Sequence, residues 1–220
     1  MLLQRMPVPA SPVARHDVLM DWSDFYAHQA GRLVRPTFAA AMEEWQDRRG
    51  DVPGSAIDLG CGDGVESRAL AAAGWRVLAI DADPRVVERV TAGVPQTDRE
   101  RLTVRRASFE ELASEPNAAL PSADLVYAGF ALPFCSGDVF ERLWAAIRRS
   151  MAPGGLFAGQ LFGPHDDFAA WPEVNTHDRA DVDRLLAGLA VLRLEEEDKD
   201  GTSFAGPKHW HVFHIIASHP

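Results

Sequence analysis

Cysteine, lysine and long apolar runs are scarce in this 220-residue chain, and each scarcity closes a possibility. Two cysteines, Cys61 and Cys135, make neither a disulfide framework nor a cysteine metal site. No apolar run approaches the ~18 residues of a transmembrane helix. The start, Met1 to Pro12, carries Arg5 and three prolines and lacks the ~7–15-residue apolar core of a signal peptide. A reducing, cytoplasmic location is therefore expected. Basic residues number 22 against 32 acidic, a net charge of −10, and only two of the 22 are lysines, which reflects codon composition rather than function. So acidic a surface repels phosphate backbones, which disfavours a nucleic-acid partner. Internal repeats and low-complexity tracts are also missing. With 46% hydrophobic and 25% charged residues, the chain has ordinary globular composition, not that of a disordered or fibrous one.

What is present is one domain's worth of alternating pattern. Residues 1–15 are punctuated by proline and read as a loose or draped arm. Residues 21–49 read as two helical pieces broken near Gly31–Pro36, with Asp21 or Ser23 able to cap the first. In the second, Phe38, Ala41, Met42 and Trp45 recur at spacings of three and four. We assign 1–50 as an N-terminal arm and helical cover, and 51–220 as the main domain, in one structural unit. From residue 56, short strands alternate with helices: strands at 56–59, 76–80, 102–104, 123–128 and 156–162, helices at 65–73, from Asp83, from 109, at 139–151 and at 182–189. Asp83 reads as an N-cap followed by Pro84, and Val86, Val87 and Val90 as that helix's apolar stripe. Two final strands, 191–195 and 209–217, have no helix between them, with Asp200-Gly201 read as their connection. Alternation of this kind implies parallel strands joined by crossovers. The expected fold is α/β: a doubly wound, Rossmann-like seven-stranded sheet with a reversed seventh strand and the N-terminal helices as cover. Ligands of such sheets bind at the carboxyl ends of the strands, where strand order switches.

The sharpest motif is Asp58-Leu59-Gly60-Cys61-Gly62-Asp63-Gly64, between a strand and a helix. Glycines there permit a tight turn and close approach of a ligand to the backbone. Asp81 ends the next strand, where a carboxylate would accept hydrogen bonds from a ribose diol. Turn and acidic strand end together point to a nucleoside-containing ligand. A dinucleotide fingerprint would need a third small residue five positions after Gly60, but Val65 stands there. Asp58, moreover, suits an ammonium group better than a pyrophosphate.

AIDLGCGDG followed by VLAIDADP resembles motif I and the next acidic motif of class I S-adenosylmethionine-dependent methyltransferases, over roughly residues 55–160. The flanks DWSDFYAHQAGRLVRP, GQLFG and KHWHVFHIIA are similar to small bacterial methyltransferases of the tellurite-resistance type or general small-molecule group. The resemblance implies S-adenosyl-L-methionine as cofactor. It implies that Gly60, Cys61 and Gly62, with Asp58, hold the methionine end, that Asp81 binds the ribose and that Ala82 lies against adenine. Ser108 and Phe109 fall where the family has an acidic residue and an apolar neighbour around adenine, so Ser108 is a departure. Ala128 would offer its carbonyl near the cofactor ammonium, and Tyr26 and Arg32 would close over the cofactor, Arg32 on its carboxylate.

Methyl transfer from a sulfonium is a direct displacement that needs in-line positioning more than a catalytic triad. No catalytic residue is singled out, and a base is needed only where the acceptor is protonated. The segment Ala128–Phe134 lacks the (Asp/Asn)-Pro-Pro-Tyr signature of base and amide methylation. Phe130 and Phe134 line an acceptor pocket or belong to the core. The reversed last strand brings Lys208, His209 and Trp210 toward His165, Asp166 and the acidic run 195–198, which would rim the acceptor mouth. His209, His211 and His214 show no metal-ligand spacing, so no metal is expected. Residues 161–200 hold eleven acidic and four basic residues, which favours a neutral or cationic small-molecule acceptor. The alternatives are an NAD(P)- or flavin-dependent oxidoreductase on a similar sheet, and a non-catalytic cofactor-binding protein. Oligomeric state and acceptor identity are not legible in the sequence.

Overall fold

The computed structural model describes residues 32–114, 120–203 and 206–220. The arm at 1–15, the first helical piece and Tyr26 lie outside the described residues. Helix α1 (Pro36–Arg49) begins on a proline, which has no N–H to waste at that position, and stops at Gly50. It buries Phe38, Ala41 and Trp45 and packs on two sheet strands, β5 (Met151–Phe162) and β7 (Gly206–Ser218).

The sheet also contains β1 (Ser55–Leu59), β2 (Arg76–Asp81), β3 (Leu102–Arg106), β4 (Ala123–Ala128) and β6 (Ala190–Ser203). Its order is β3-β2-β1-β4-β5-β7-β6, and only β7 runs against the rest. The Rossmann-like sheet with a reversed seventh strand is therefore observed. Strand order switches between β1 and β4, which places the ligand crevice at their carboxyl ends.

Strand side chains alternate between faces, and two cores follow from that period. Ile57, Leu59, Val126, Ala128, Phe157 and Phe213 enter one. Ala56, Leu125, Tyr127, Leu156, Ala158 and Ile216 enter the other, with Phe38 and Trp45 of α1. The first core is closed by α6 (Gly137–Ser150), whose Val139, Phe140, Leu143, Trp144 and Ile147 are buried at helical spacing. Each large apolar side chain so buried contributes about 1.5–3 kcal/mol. The remaining helices are α2 (Val65–Ala72), α3 (Val86–Thr91), α4 (Gln96–Arg99), α5 (Phe109–Ser114) and α7 (Arg179–Leu185). No helix among the described residues is long and apolar enough to cross a membrane.

β5 starts at Met151, α4 has no counterpart in the sequence reading, and further differences have a cause in side chains. Asp200-Gly201 is not a connection: β6 continues to Ser203, with Asp200 opposite His209 and Gly201 opposite Lys208. Charged residues are tolerated on this edge strand, and the carboxylates of Glu196, Glu197, Asp198 and Asp200 meet imidazoles of β7 across the ladder. Helix α7 starts three residues before Val182, because Asp178 and Asp181 form a reciprocal cap there. Val87 faces solvent, 50% exposed, while Val86 and Val90 are fully buried. Asp83 is not the N-cap of that helix: the cap position is Arg85, and the Asp83 carboxylate accepts the Arg85 N–H at 2.7 Å in the turn before it.

Candidate cofactor and acceptor site

The glycine loop is built by its backbone. Gly60, Gly62 and Gly64 all adopt positive φ, at 67°, 54° and 74°, which side chains of L residues disfavour. A Cβ on Gly60 would sit 2.3 Å from the Ala131 Cβ, and one on Gly64 would sit 2.8 Å from Val90. The Gly60 and Cys61 amides donate to the Ile80 carbonyl, at 2.8 and 3.0 Å, so the loop is stitched to β2. Asp81, at the end of β2, completes the stitch. Its carboxylate accepts the Gly62 N–H at 2.9 Å and the Asp83 N–H at 2.9 Å.

Charge on the loop is mostly negative and mostly buried. Asp58 is 2% exposed and accepts a hydrogen bond from the Ser67 hydroxyl at 2.6 Å. Burial first, and the neighbouring Glu66 charge second, push its carboxyl up to about 7. Glu66 is also buried, but the Arg32 guanidinium grips it with two bonds of 2.5 Å and the Arg35 N–H adds a third of 3.0 Å. Burial raises the Glu66 carboxyl; the Arg32 fork and charge outweigh it and hold the group below the usual carboxylate range. Arg32 also reaches Asp63 at 3.3 Å. Arg32 is thus in the site, and within the chain its partners are acidic side chains of the loop and α2.

Three polar atoms around this loop are buried and find no hydrogen-bond partner among the described residues: Arg32 Nε, Asp63 Oδ2 and Tyr127 Oη. Tyr127, on β4 opposite Asp58, is a residue that the sequence reading missed. Its hydroxyl is buried in the second core beside Gly129, where a Cβ would stand 2.5 Å away. A tyrosine in a strand reads as core, and only its orphaned hydroxyl marks it out.

Other expected residues are placed as follows. Phe109 lies against the loop, its ring edge 3.8 Å from the Cβ position of Gly60. The Ser108 hydroxyl accepts the Glu111 N–H at 3.2 Å, and Glu111 accepts the Ser108 N–H at 2.7 Å, a capping box for α5 that the sequence reading did not register. Ala82 follows β2, and its carbonyl accepts from Arg106. Ala128 ends β4, with its carbonyl facing Gly159 of β5. Cys61 and Cys135 are buried, and burial lifts both thiols, Cys135 to about 12, so neither is a nucleophile.

On the other flank of the crevice stands an aromatic wall. Phe130 follows β4 and is the one described non-glycine residue at positive φ, 57°. Its N–H donates to Gln160 Oε1 at 3.1 Å, which pins that strained conformation. Its ring meets Phe162, Trp210 and His214 and lies 5.1 Å beneath the Arg35 guanidinium. The reversed strand brings Lys208, His209 and Trp210 against His165 to Asp167, as topology required. Lys208 Nζ donates to Asp166 at 2.6 Å, the His209 N–H donates to Asp167 at 2.7 Å, and His165 meets Asp198 at 2.9 Å. Lys208 and Asp166 are sealed inside, however, and do not rim an opening. The ammonium packs over Trp210 at 3.5 Å and Phe168 at 4.4 Å.

Residues 57–159 match the family model described as "Methyltransferase domain". Over those residues, a little under half of the chain, the protein carries a methyltransferase domain, and its sheet has the reversed seventh strand expected of the class I S-adenosylmethionine-dependent fold. It is 28% identical over 155 residues to an uncharacterised methyltransferase of Synechocystis sp., across 62% of this chain and 67% of that protein. Among solved structures, TehB from Haemophilus influenzae superposes with a TM-score of 0.69 at 14% identity, over 90% of this chain and 66% of TehB. The N-methyltransferase NodS from Bradyrhizobium japonicum, solved with S-adenosyl-L-homocysteine, superposes at 0.59 with 14% identity, over 84% of this chain and 89% of NodS. At those identities the structures speak for the fold.

The methyltransferase cofactor is S-adenosylmethionine, and the residues present fit it. Its amino-acid end carries one ammonium and one carboxylate. Around the loop stand an orphaned acceptor, Asp63 Oδ2, and two orphaned donors, Arg32 Nε and Tyr127 Oη. Four carboxyl groups, Asp58, Asp63, Glu66 and Asp81, line the same loop, which suits an ammonium and opposes the pyrophosphate of a dinucleotide.

Proposed function

We propose that this protein transfers the methyl group of S-adenosylmethionine to a small neutral or cationic acceptor. The cofactor, when bound, supplies an electrophilic methyl carbon on a sulfonium. Gly60, Cys61 and Gly62 would meet its methionine end with backbone, and Asp58 and Asp63 its ammonium. Arg32 and Tyr127 would donate to its carboxylate, Asp81 would take the ribose hydroxyls, and Ala82 and Phe109 would pack on the adenine. Ser108 enters this reading through the cap it forms, since its hydroxyl is used there. Tyr26, outside the described residues, remains assigned to the same cover.

The observation that carries the acceptor reading is the aromatic wall. Phe130 is held in a strained backbone conformation at the end of β4, next to Trp210 and Phe162. Electron-rich ring faces attract cations and apolar groups and give an anion nothing to bind. With a net charge of −10, the protein also repels polyanions, nucleic acids among them. Trp210 is part of this wall, Lys208 and Asp166 brace it, and His165 and His209 would stand at its outer edge. The chemistry asked of these residues is to hold the acceptor in line and keep water out. A panel of matched amine and carboxylate acceptors, with S-adenosylhomocysteine release as the readout, tests the reading. Turnover of the amine member of each pair is expected, and preference for the carboxylates overturns it.

A further inference from the structure

Behind Phe130, a line of polar side chains runs through ground that is otherwise apolar core. We propose that Gln160 is a positioning residue for the methyl acceptor, and that Thr37, His214 and Glu197 fix the direction in which its amide faces. Each comes from a different element: Gln160 from β5, Thr37 from the first turn of α1, His214 from β7 and Glu197 from β6. This role rests on the reading that the acceptor meets Phe130.

Gln160 is 1% exposed and lies opposite His214 in the β5–β7 ladder. A glutamine amide accepts at one end and donates at the other, so its neighbours decide which way it turns. Here the Phe130 N–H decides. It can only donate, and it meets Oε1 at 3.1 Å. Nε2 therefore points to the Thr37 hydroxyl oxygen, 2.6 Å away. Thr37 accepts there, which leaves its own proton for His214 Nδ1 at 3.2 Å. The imidazole proton then sits on Nε2 and faces Glu197 at 3.3 Å. With the proton on Nδ1 instead, the Thr37 hydroxyl would lose its acceptor and a lone pair would face a carboxylate. Every donor in the line finds an acceptor in one order only.

What the line holds is Phe130, whose positive φ is the kind of backbone strain that gathers at ligand sites. The chain also runs tight at this point, since a Cβ on Gly129 would stand 2.5 Å from Tyr127 Oη. The line leaves Phe130 by its backbone and returns to its ring: His214 meets that ring edge to face, 6.2 Å between centroids. Backbone and ring are thus fixed from two sides, and the ring is set against Phe162 and Trp210 as part of the wall. Apolar side chains would fill this volume without needing partners. Buried polar ones are costly unless all are paired, and when all are paired they specify one geometry. Linear spacing gives no hint of the line, because its four side chains lie on four separate elements.

Amide exchange at Phe130, read by NMR on the full chain saturated with S-adenosylhomocysteine, tests this without any acceptor. Thr37→Val keeps the shape of the side chain and removes the hydroxyl. Exchange at Phe130 should quicken at least roughly tenfold in Thr37→Val and in Gln160→Met, and stay near the wild-type rate in Thr37→Ser. A long-range proton–nitrogen spectrum should show His214 protonated on Nε2 in the wild type. Kinetics follow with whichever member of the amine and carboxylate panel turns over. Acceptor KM should rise at least roughly tenfold in Thr37→Val and Gln160→Met, with S-adenosylhomocysteine affinity within about twofold of wild type. A merely structural role would lower the melting temperature and leave KM alone. Unchanged Phe130 exchange in Thr37→Val overturns the proposal, as does a wild-type KM in both variants or a His214 proton on Nδ1. Should Gln160→Met fail to fold, Thr37→Val decides. Failure of the neutral-or-cationic reading shows separately, as a preference of the wild type for carboxylates.

Discussion

The two ends of the crevice solve opposite problems. At the glycine loop, carboxylates are taken out of water and tied to backbone amides and to one arginine: Asp81 to Gly62 and Asp83, Glu66 to Arg32 and Arg35. At the hairpin, carboxylates stay near solvent and meet imidazoles across a ladder. Neither arrangement is local in sequence: Glu66 lies 34 positions from Arg32, and His165 and Asp166 lie 33 and 42 positions from Asp198 and Lys208. The ladder contacts of the hairpin exist only once β7 has inserted between β5 and β6. Buried carboxylates with fixed partners suit a ligand of constant chemistry.

Breaking the buried ion pair at the hairpin end should have the largest effect. Lys208→Met leaves Asp166 with only the Phe168 and His211 amides as donors. Removing one member of so buried a pair costs about 3 kcal/mol or more. Urea denaturation should register that loss, while calorimetric titration finds cofactor affinity unchanged within about twofold. A matching fall in cofactor affinity would mean that the two ends are one unit and that the contrast drawn here fails.

Asp81→Ala tests the other end. A charged hydrogen-bond acceptor for ribose is worth about 1.5–3 kcal/mol, so affinity for S-adenosylmethionine should fall roughly ten- to a hundredfold. The sequence alone suggests that this variant keeps its stability. The structure changes that expectation, because the Gly62 and Asp83 amides lose their acceptor too, and stability should fall by about 1–3 kcal/mol. Unchanged affinity removes Asp81 from the site.

Much of the fold was legible because its signals are periodic and local. Alternation set the strand count, the missing helix between the last strands implied their antiparallel pairing, and that reversal brought Lys208 to Asp166. What escaped was polar residues acting through distant partners. The acidic run of β6 reads as a turn until the histidines of β7 stand opposite. Ser108 reads as a ligand contact until Glu111 is seen to close its cap. Tyr127 reads as core, and no spacing shows that its hydroxyl is left without a partner. Val87 fits the helical period but falls on the solvent side of a helix only six residues long, too short for periodicity to orient it.

The finest test of the contrast is a proton. Asp58 lies buried with its carboxyl pushed up to about 7, by burial first and by Glu66 second. The hairpin carboxylate Asp198 is held down at about 2 by hydrogen bonds from His165 and His209. Of these two carboxyl groups, only Asp58 should therefore titrate near neutrality. An ammonium placed beside Asp58 favours its ionised form, so cofactor binding drives off the proton that the free protein holds. Affinity should then rise with pH, about tenfold between roughly pH 6 and pH 8, and calorimetry in buffers of different ionisation enthalpy should detect a released proton at the lower pH. The stability effect has the opposite slope. A carboxyl raised above its unfolded value of 3.8 contributes stability that is present below that value and lost as pH climbs to about 7. Asp58→Asn should accordingly flatten the affinity profile and raise the melting temperature at about pH 8, with little change below about pH 4. A variant that keeps the slope would mean that the proton resides on a group other than Asp58.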